Sequence, residues 1–148
     1  MTKLDTGTWI VVADSEKALL LRNLTDHADP HLELVARADQ PAPPEDADRA
    51  GRRPDTGPGQ MSAMEQSDIQ ALARDRFAGA LSDRLFDHLR QGDFDRLVVV
   101  AAPQLLGRLR DELHKEVAAR IVAEIPKTLT NHPLPALERL IKAELEPR

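Results

Sequence analysis

The sequence predicts an α/β domain built on a mixed five-stranded sheet. The chain opens with three short apolar segments separated only by polar turns, and its second half alternates apolar segments with stretches of helical periodicity. Strands that follow each other directly pair as antiparallel hairpins, whereas strands joined through helices pair in parallel. The length of 148 residues suits one hydrophobic core, so we assign residues 1–148 to a single domain.

The first three segments predict an antiparallel meander. Residues 8–13 (TWIVVA) are β-branched and aromatic, as in a buried strand, and residues 17–23 follow a polar turn as the hairpin partner. Residues 31–38 alternate between apolar and polar positions, which predicts a half-buried strand near an edge of the sheet. The residues predicted to share one side of this strand are Leu32, Leu34 and Ala36.

The second half predicts three helices and two strands. A long helix should begin between residues 62 and 69 and stop at Gly92. Its apolar stripe consists of Ile69, Ala73, Phe77, Leu81, Leu85 and Leu89. A strand is predicted near residues 95–102, because the run from Arg96 to Ala102 (RLVVVAA) is apolar on both faces, which is typical of an interior parallel strand. A second helix over residues 105–118 and a strand over 120–125 follow.

A final helix should follow Pro135, with an apolar face that consists of Leu137, Leu140, Ile141 and Leu145. The complete order is β-β-β-α-β-α-β-α. With right-handed crossovers, this order places the second hairpin strand between the first and the third and puts helices on the faces of the sheet. This is the ribonuclease H-like arrangement.

One long segment interrupts this pattern. Residues 39–60 contain no large aliphatic or aromatic side chain but hold five prolines and three glycines, so we predict a loop at 39–61. Loops of this length are usually functional or disordered. Arg49, Arg52 and Arg53 cluster within it and suit phosphate binding. Acidic residues outnumber these arginines in the same segment, which leaves a solvated, charge-balanced loop as the alternative.

Composition excludes several classes of protein. The chain has no cysteine, and its formal net charge is −5, which argues against disulfides, cysteine-based metal sites and bulk binding to DNA. The apolar run at residues 9–13 is too short for a signal peptide or a membrane span. We therefore expect a cytoplasmic protein that has neither a membrane nor a DNA partner.

Metal chemistry finds little support in the sequence. Ribonuclease H-like nucleases hold two divalent metals with carboxylates on their strands and first helix, whereas residues 9–13 of the predicted first strand and residues 96–102 of the predicted fourth strand contain no acid. Asp14 directly follows the first strand, where an aspartate usually caps a turn. His27 and His31 have a helical spacing, but Pro30 between them indicates a turn. We predict no metal and no cofactor.

Three stretches of sequence resemble one bacterial family, the proteins described as required for attachment to host cells. These stretches are TWIVVADSEKALLLRN (8–23), FDRLVVVAAPQLLGRLRDEL (94–113) and IVAEIPKTLTNHPLPAL (121–137). The most specific parts are the segment from Val98 to Arg110, a strand followed by Pro-x-x-Leu-Gly-x-Leu-Arg, and the segment Lys-Thr-Leu-Thr at 127–130. At the position of Thr128 the family usually has an acid. The resemblance covers nearly the whole chain.

That family is in turn similar to the central domain of archaeo-eukaryotic peptide release factors. Those domains carry a Gly-Gly-Gln tip between the third strand and the first long helix, and the tip promotes peptidyl-tRNA hydrolysis. In this chain the long loop occupies the same place and ends in Gly-Pro-Gly-Gln at 57–60. Gly59 and Gln60 match the last two motif positions, whereas Pro58 stands at the position of the first glycine.

The resemblance implies Gly59 and Gln60 as candidate catalytic residues, and it implies the ribosome or tRNA as the partner. The residues implied for RNA binding are Arg49, Arg52, Arg53 and Lys127. One hypothesis is therefore a ribosome- or tRNA-associated accessory factor that acts through residues 49–60, with a peptidyl-tRNA hydrolase-like activity if it is an enzyme at all.

The other hypothesis is a non-catalytic cytoplasmic interaction protein with an indirect role in attachment or in the stress response. The position of the loop favours the first hypothesis. The acidic net charge and Pro58, which lacks the conformational freedom of glycine, favour the second.

Overall fold

Five strands form one mixed sheet in the computed structural model, which describes residues 3–39 and 63–146, with side chains from residue 69 onward in the second range. The strands are β1 (Trp9–Ala13), β2 (Lys17–Asn23), β3 (Leu32–Asp39), β4 (Leu97–Val100) and β5 (Ile121–Ile125). Their order in the sheet is β3-β2-β1-β4-β5. The first three pair antiparallel, and β4 pairs in parallel with both β1 and β5. The predicted fold class is confirmed.

Four helices accompany the sheet, and their bounds are α1 (Ala63–Arg90), α2 (Pro103–Glu112), α3 (Lys115–Ala118) and α4 (Leu134–Leu145). Helix α1 begins within the predicted interval. Beyond its end, Gly92 has a φ of +80°, a left-handed conformation that glycine adopts without the steric cost of a Cβ atom.

The sheet separates two layers of apolar side chains. On one face, Phe77, Leu81 and Leu85 of α1 pack in one cluster with Leu97 and Val99 of β4, as the sequence predicts. On the other face, Leu137 and Ile141 of α4 pack with Val98 and Val100. Successive residues of a strand point to opposite faces. Because both faces are covered, β1 and β4 are buried along their whole length and lack polar residues.

The predicted alternation of β3 is wrong in its second half. Leu20 pairs with Ala36, but the next residue, Leu21, pairs with Leu34, so the register skips Val35. Such a bulge moves all following side chains to the other face of the strand. Leu32 therefore joins the α4 side of the sheet, whereas Ala36 and Ala38 join the α1 side. Leu34 is 48% exposed on this edge strand.

The helix predicted over residues 105–118 is two helices. Leu113 and His114 have ψ angles of 139° and 146°, which are extended values that end α2 and precede α3. The apolar spacing continues across this break, since Leu109 and Val117 are both buried. Periodicity alone therefore did not reveal the interruption.

The apolar stripes predicted for α1 and α4 include residues that the structure leaves exposed. Ile69 and Leu72, near the start of α1, are 52% and 56% exposed, and Leu140 is at 36%. Helix α1 has 28 residues and is about 42 Å long at 1.5 Å per residue, whereas a five-residue strand spans only about 17 Å. The first turns of α1 therefore extend beyond the sheet.

Candidate functional site

One edge of the sheet brings several functional candidates together. We call it the carboxyl edge, because β1, β4 and β5 all end there. In open α/β sheets, ligands bind in the crevice outside the carboxyl ends of the strands. The last residue of β3, Asp39, pairs with Lys17 at the start of β2, so the described chain also leaves β3 at this edge.

Helix α1 runs from the carboxyl edge towards the opposite edge. Near its end, the ring of His88 lies 4.9 Å from that of Trp9 at the start of β1. Arg74, in its fourth turn, shares a cavity with Asp14 just beyond the end of β1. Asp39 and Ala63, the described residues on either side of the predicted loop, therefore both lie on the carboxyl-edge side of the molecule.

Asp14 accepts three hydrogen bonds at this edge. Its Oδ1 accepts hydrogen bonds from the backbone N–H groups of Glu16 (2.7 Å) and Lys17 (2.8 Å), which confirms the predicted turn-capping role. Its Oδ2 accepts a 2.6 Å hydrogen bond from the hydroxyl of Thr130, a residue that is 6% exposed. This second contact joins the end of β1 to the segment that follows β5.

The surroundings of Asp14 keep its carboxylate ionised. Burial acts to raise the pKa of Asp14, but the hydrogen bond from Thr130, the backbone N–H bonds of Glu16 and Lys17 and the positive charge of Lys17 act in the opposite direction. The net result is a pKa below the usual value for an aspartate. Asp14 is therefore an anion at neutral pH.

Next to Asp14 lies a cavity of about 270 Å³, which we call the carboxyl-edge cavity. It is lined by Asp14, Ser15, Arg74, Ala102, Gln104, Leu105 and Thr128. Its walls come from the turn after β1, from α1, from the start of α2 and from the segment after β5. Helix α2 begins at Pro103 with no acidic residue in its first turn, so the positive end of its dipole is not neutralised locally.

A larger cavity, of about 710 Å³, opens at the opposite edge. Its lining includes Thr8, Arg96 and Arg120, which immediately precede the three parallel strands. Both arginines there have acidic neighbours, since Arg96 pairs with Asp5 and Arg120 Nη1 lies 3.9 Å from Asp95 Oδ1. Its positive charges are thus compensated, and neither end of the predicted loop segment lies beside it.

The structure locates one of the predicted site residues. Lys127 follows β5 at the carboxyl edge, where its Nζ lies 2.5 Å from Glu144 Oε2 of α4. Arg49, Arg52, Arg53, Gly59 and Gln60 lie outside the described residues, so their roles remain predictions.

Sequence reasoning missed two residues of this site, Arg74 and Thr130. A signal for Thr130 was present, because polar residues directly after parallel strands meet at one edge of a sheet. Arg74 carried no such signal, since it is one of several arginines on a long amphipathic helix.

His27, considered above with His31 as a possible metal ligand, has a structural role in the fold. His27 Nδ1 accepts a 3.1 Å hydrogen bond from the backbone N–H of Leu4, and its Nε2 lies 3.5 Å from Glu146 Oε1. His27 thus links the beginning and the end of the described chain. Within residues 3–39 and 63–146, no three His, Cys, Asp or Glu side chains are grouped as a metal site. Nor does any helix in these ranges have the length and apolarity to cross a membrane.

Comparison with known proteins gave one match to a family. A model described as bacterial archaeo-eukaryotic release factor family 12 matches residues 7–141, which confirms the release-factor side of the resemblance predicted above but not the host-attachment name. No curated protein matches the chain. Among solved structures, one titled "Archaeal protein" aligns over 93% of this chain with 12% identity and a TM-score of 0.46. The chain spans about a third, 34%, of that protein.

Proposed function

Because the chain belongs to bacterial archaeo-eukaryotic release factor family 12, we propose that it is a release-factor-like accessory factor that associates with the ribosome or tRNA through residues 49–60. The observation that carries the proposal is the family match over residues 7–141. The placement of Asp39 and Ala63 on the carboxyl-edge side supports it, since these two residues flank the predicted loop and lie on the side of an α/β fold that usually binds ligands.

In this proposal each of the named loop residues has its own role. Gly59 lets the backbone approach the acceptor end of the tRNA, and Gln60 positions a water molecule against the ester when the factor acts as a hydrolase. Arg49, Arg52 and Arg53 contact RNA phosphates. Lys127 contributes a further positive charge from the segment after β5, and RNA phosphates compete with Glu144, its ion-pair partner, for this charge.

Two features favour a second candidate function, that of a non-catalytic interaction protein. The net charge of −5 weakens any bulk attraction to RNA. Pro58 restricts the backbone at the position where the release-factor motif has its first glycine. In this alternative the loop binds a protein partner, and Gln60 has no chemical role.

Co-sedimentation of the tagged full chain with ribosomes tests the first proposal. We expect association that is lost when residues 41–60 are deleted and weakened when Arg49, Arg52 and Arg53 are replaced together by Gln. The matched control replaces three exposed arginines of other elements, Arg84, Arg108 and Arg139, with the same loss of charge. An equal effect of both triple substitutions, or no association of the wild type, would overturn the proposed role of the loop.

Release of labelled peptide from stalled ribosomes tests the hydrolytic form. We expect Gln60→Ala to abolish release while ribosome association is retained, because the substitution removes the group that positions the water. If the wild type associates with ribosomes but releases no peptide, the protein is an accessory factor without catalysis. If the wild type neither associates nor releases peptide, only the hypothesis of a non-catalytic interaction protein is left.

A further inference from the structure

Arg74 is an unusual arginine for its surroundings. It is half-buried in the wall of the carboxyl-edge cavity, and within the described residues it has no hydrogen-bond or ion-pair partner. Arg22, which is also half-buried, pairs with Glu33 at 2.5 Å. The other described arginines in ion pairs are Arg37, Arg96, Arg108, Arg110 and Arg120. A guanidinium cannot lose its charge in a protein, so its partial desolvation favours an anion beside it.

Asp14 lines the same cavity but does not neutralise Arg74. Both of its carboxylate oxygens accept hydrogen bonds from other groups, the backbone of Glu16 and Lys17 and the hydroxyl of Thr130. The cation that acts on its carboxylate is Lys17. The positive charge of Arg74 therefore remains available to a ligand.

The remaining walls suit a small anion with several acceptor oxygens. Gln104 and Thr128 also line the cavity, and the side-chain amide of the first and the hydroxyl of the second can donate hydrogen bonds. The start of α2 adds a partial positive charge to that of Arg74. The volume of about 270 Å³ is many times the roughly 10–15 Å³ that a cavity needs to hold one water molecule, which leaves room for a phosphate group.

We propose that the carboxyl-edge cavity binds a phosphate group, with Arg74 as the bidentate donor and with Gln104 and Thr128 as its hydrogen-bonding neighbours. Guanidinium and phosphate match in charge and in the geometry of two parallel hydrogen bonds. The identity of the phosphate as a phosphodiester of RNA rests on the proposed function. A free phosphate ion presents the same chemistry, and the experiment separates the two sources.

The test compares Arg74→Gln with Arg76→Gln in the full-length chain. Arg76 lies two residues further along α1, is exposed and does not line the cavity, so its substitution removes the same charge from the same helix. In a titration of the ¹⁵N-labelled protein with inorganic phosphate, the amide resonances of Gln104, Leu105 and Thr128 should shift and saturate. The shifts should disappear in Arg74→Gln and persist in Arg76→Gln.

A second arm uses a single-stranded RNA dodecamer. Arg74→Gln should lower its affinity about tenfold, as expected for loss of one charge-assisted contact, and should reduce the salt dependence of binding by about 0.7 units of slope. Arg76→Gln should change neither quantity appreciably. Phosphate binding at the cavity without RNA binding would support the site, identify free phosphate as its ligand and count against the RNA partner.

Two results overturn the inference. One is a phosphate titration in which the amide resonances of the cavity residues do not shift. This result would also be obtained if carboxylates of the protein itself were paired with Arg74, and it overturns the inference in that case too. The other is an equal effect of both substitutions, which indicates diffuse charge attraction. Ribosome association that persists alongside either result would leave the proposed function standing without the phosphate site.

Discussion

Asp14 uses both carboxylate oxygens to join segments that are far apart in the chain. One oxygen closes the turn between β1 and β2, and the other accepts the hydroxyl of Thr130, 116 residues away. The turn contact depends on neighbouring residues and was predictable from the sequence. The contact with Thr130 depends on the parallel alignment of β1, β4 and β5, which brings the ends of these strands to one edge.

We predict that Asp14→Asn lowers the free energy of unfolding at pH 7 by about 1–2 kcal/mol. The amide oxygen still accepts the turn hydrogen bonds, but their charge assistance is lost. Urea denaturation measures this quantity. Asp95→Asn is the matched control, because the side chain of Asp95 is 91% exposed, and it should change stability by less than about 0.5 kcal/mol.

The effect of Asp14 should depend on pH in a defined direction. Its pKa is lowered in the folded protein, so the unfolded chain takes up the proton first as the pH falls. The stabilisation is therefore fully present above the unfolded pKa of about 3.9 and is lost as the pH falls below it. The difference between wild type and Asp14→Asn should narrow below about pH 4. A difference that stays constant down to pH 3 would contradict this account.

At the scale of elements, α1 combines a buried part with an overhanging part. Leu81 is 1% exposed in the cluster that packs on β4, whereas Leu72 is 56% exposed. We predict that Leu81→Ala costs about 2–5 kcal/mol of unfolding free energy, because it removes buried contacts and leaves a cavity. Leu72→Ala should cost less than about 0.5 kcal/mol. Equal losses in urea denaturation would mean that both leucines pack in solution.

At the scale of the whole molecule, one sheet supports both apolar layers. Trp9 is the sole tryptophan of the chain and lies in the α1 layer, whereas Ile141 lies in the α4 layer. We predict that Ile141→Ala shifts the denaturation midpoint of Trp9 fluorescence and that of far-UV circular dichroism by the same amount, because β1 and β4 contribute side chains to both layers. A fluorescence midpoint that stays at its wild-type value would show that the layers unfold separately.

The sequence by itself determined the order of the strands and of the helical regions between them, the approximate bounds of all five strands, the start of α1 and its stop at Gly92. These features follow from local properties, namely apolar periodicity, turn residues and backbone preferences within a few positions. The position of the proline- and glycine-rich segment between β3 and α1 was equally readable. So was the turn-capping role of Asp14.

Only the tertiary structure decided where the predicted apolar faces leave the core and which polar residues distant in sequence meet. The bulge at Val35 depends on the register of β3 against β2, and the exposure of Ile69 and Leu72 depends on the length of α1 relative to the sheet. The meeting of Asp14 with Thr130 and the placement of Arg74 in the same cavity depend on the packing of segments distant in sequence. Local periodicity predicts whether a residue faces solvent or the core. It does not predict which residue lies next to it in the fold, because that neighbour depends on how the elements pack.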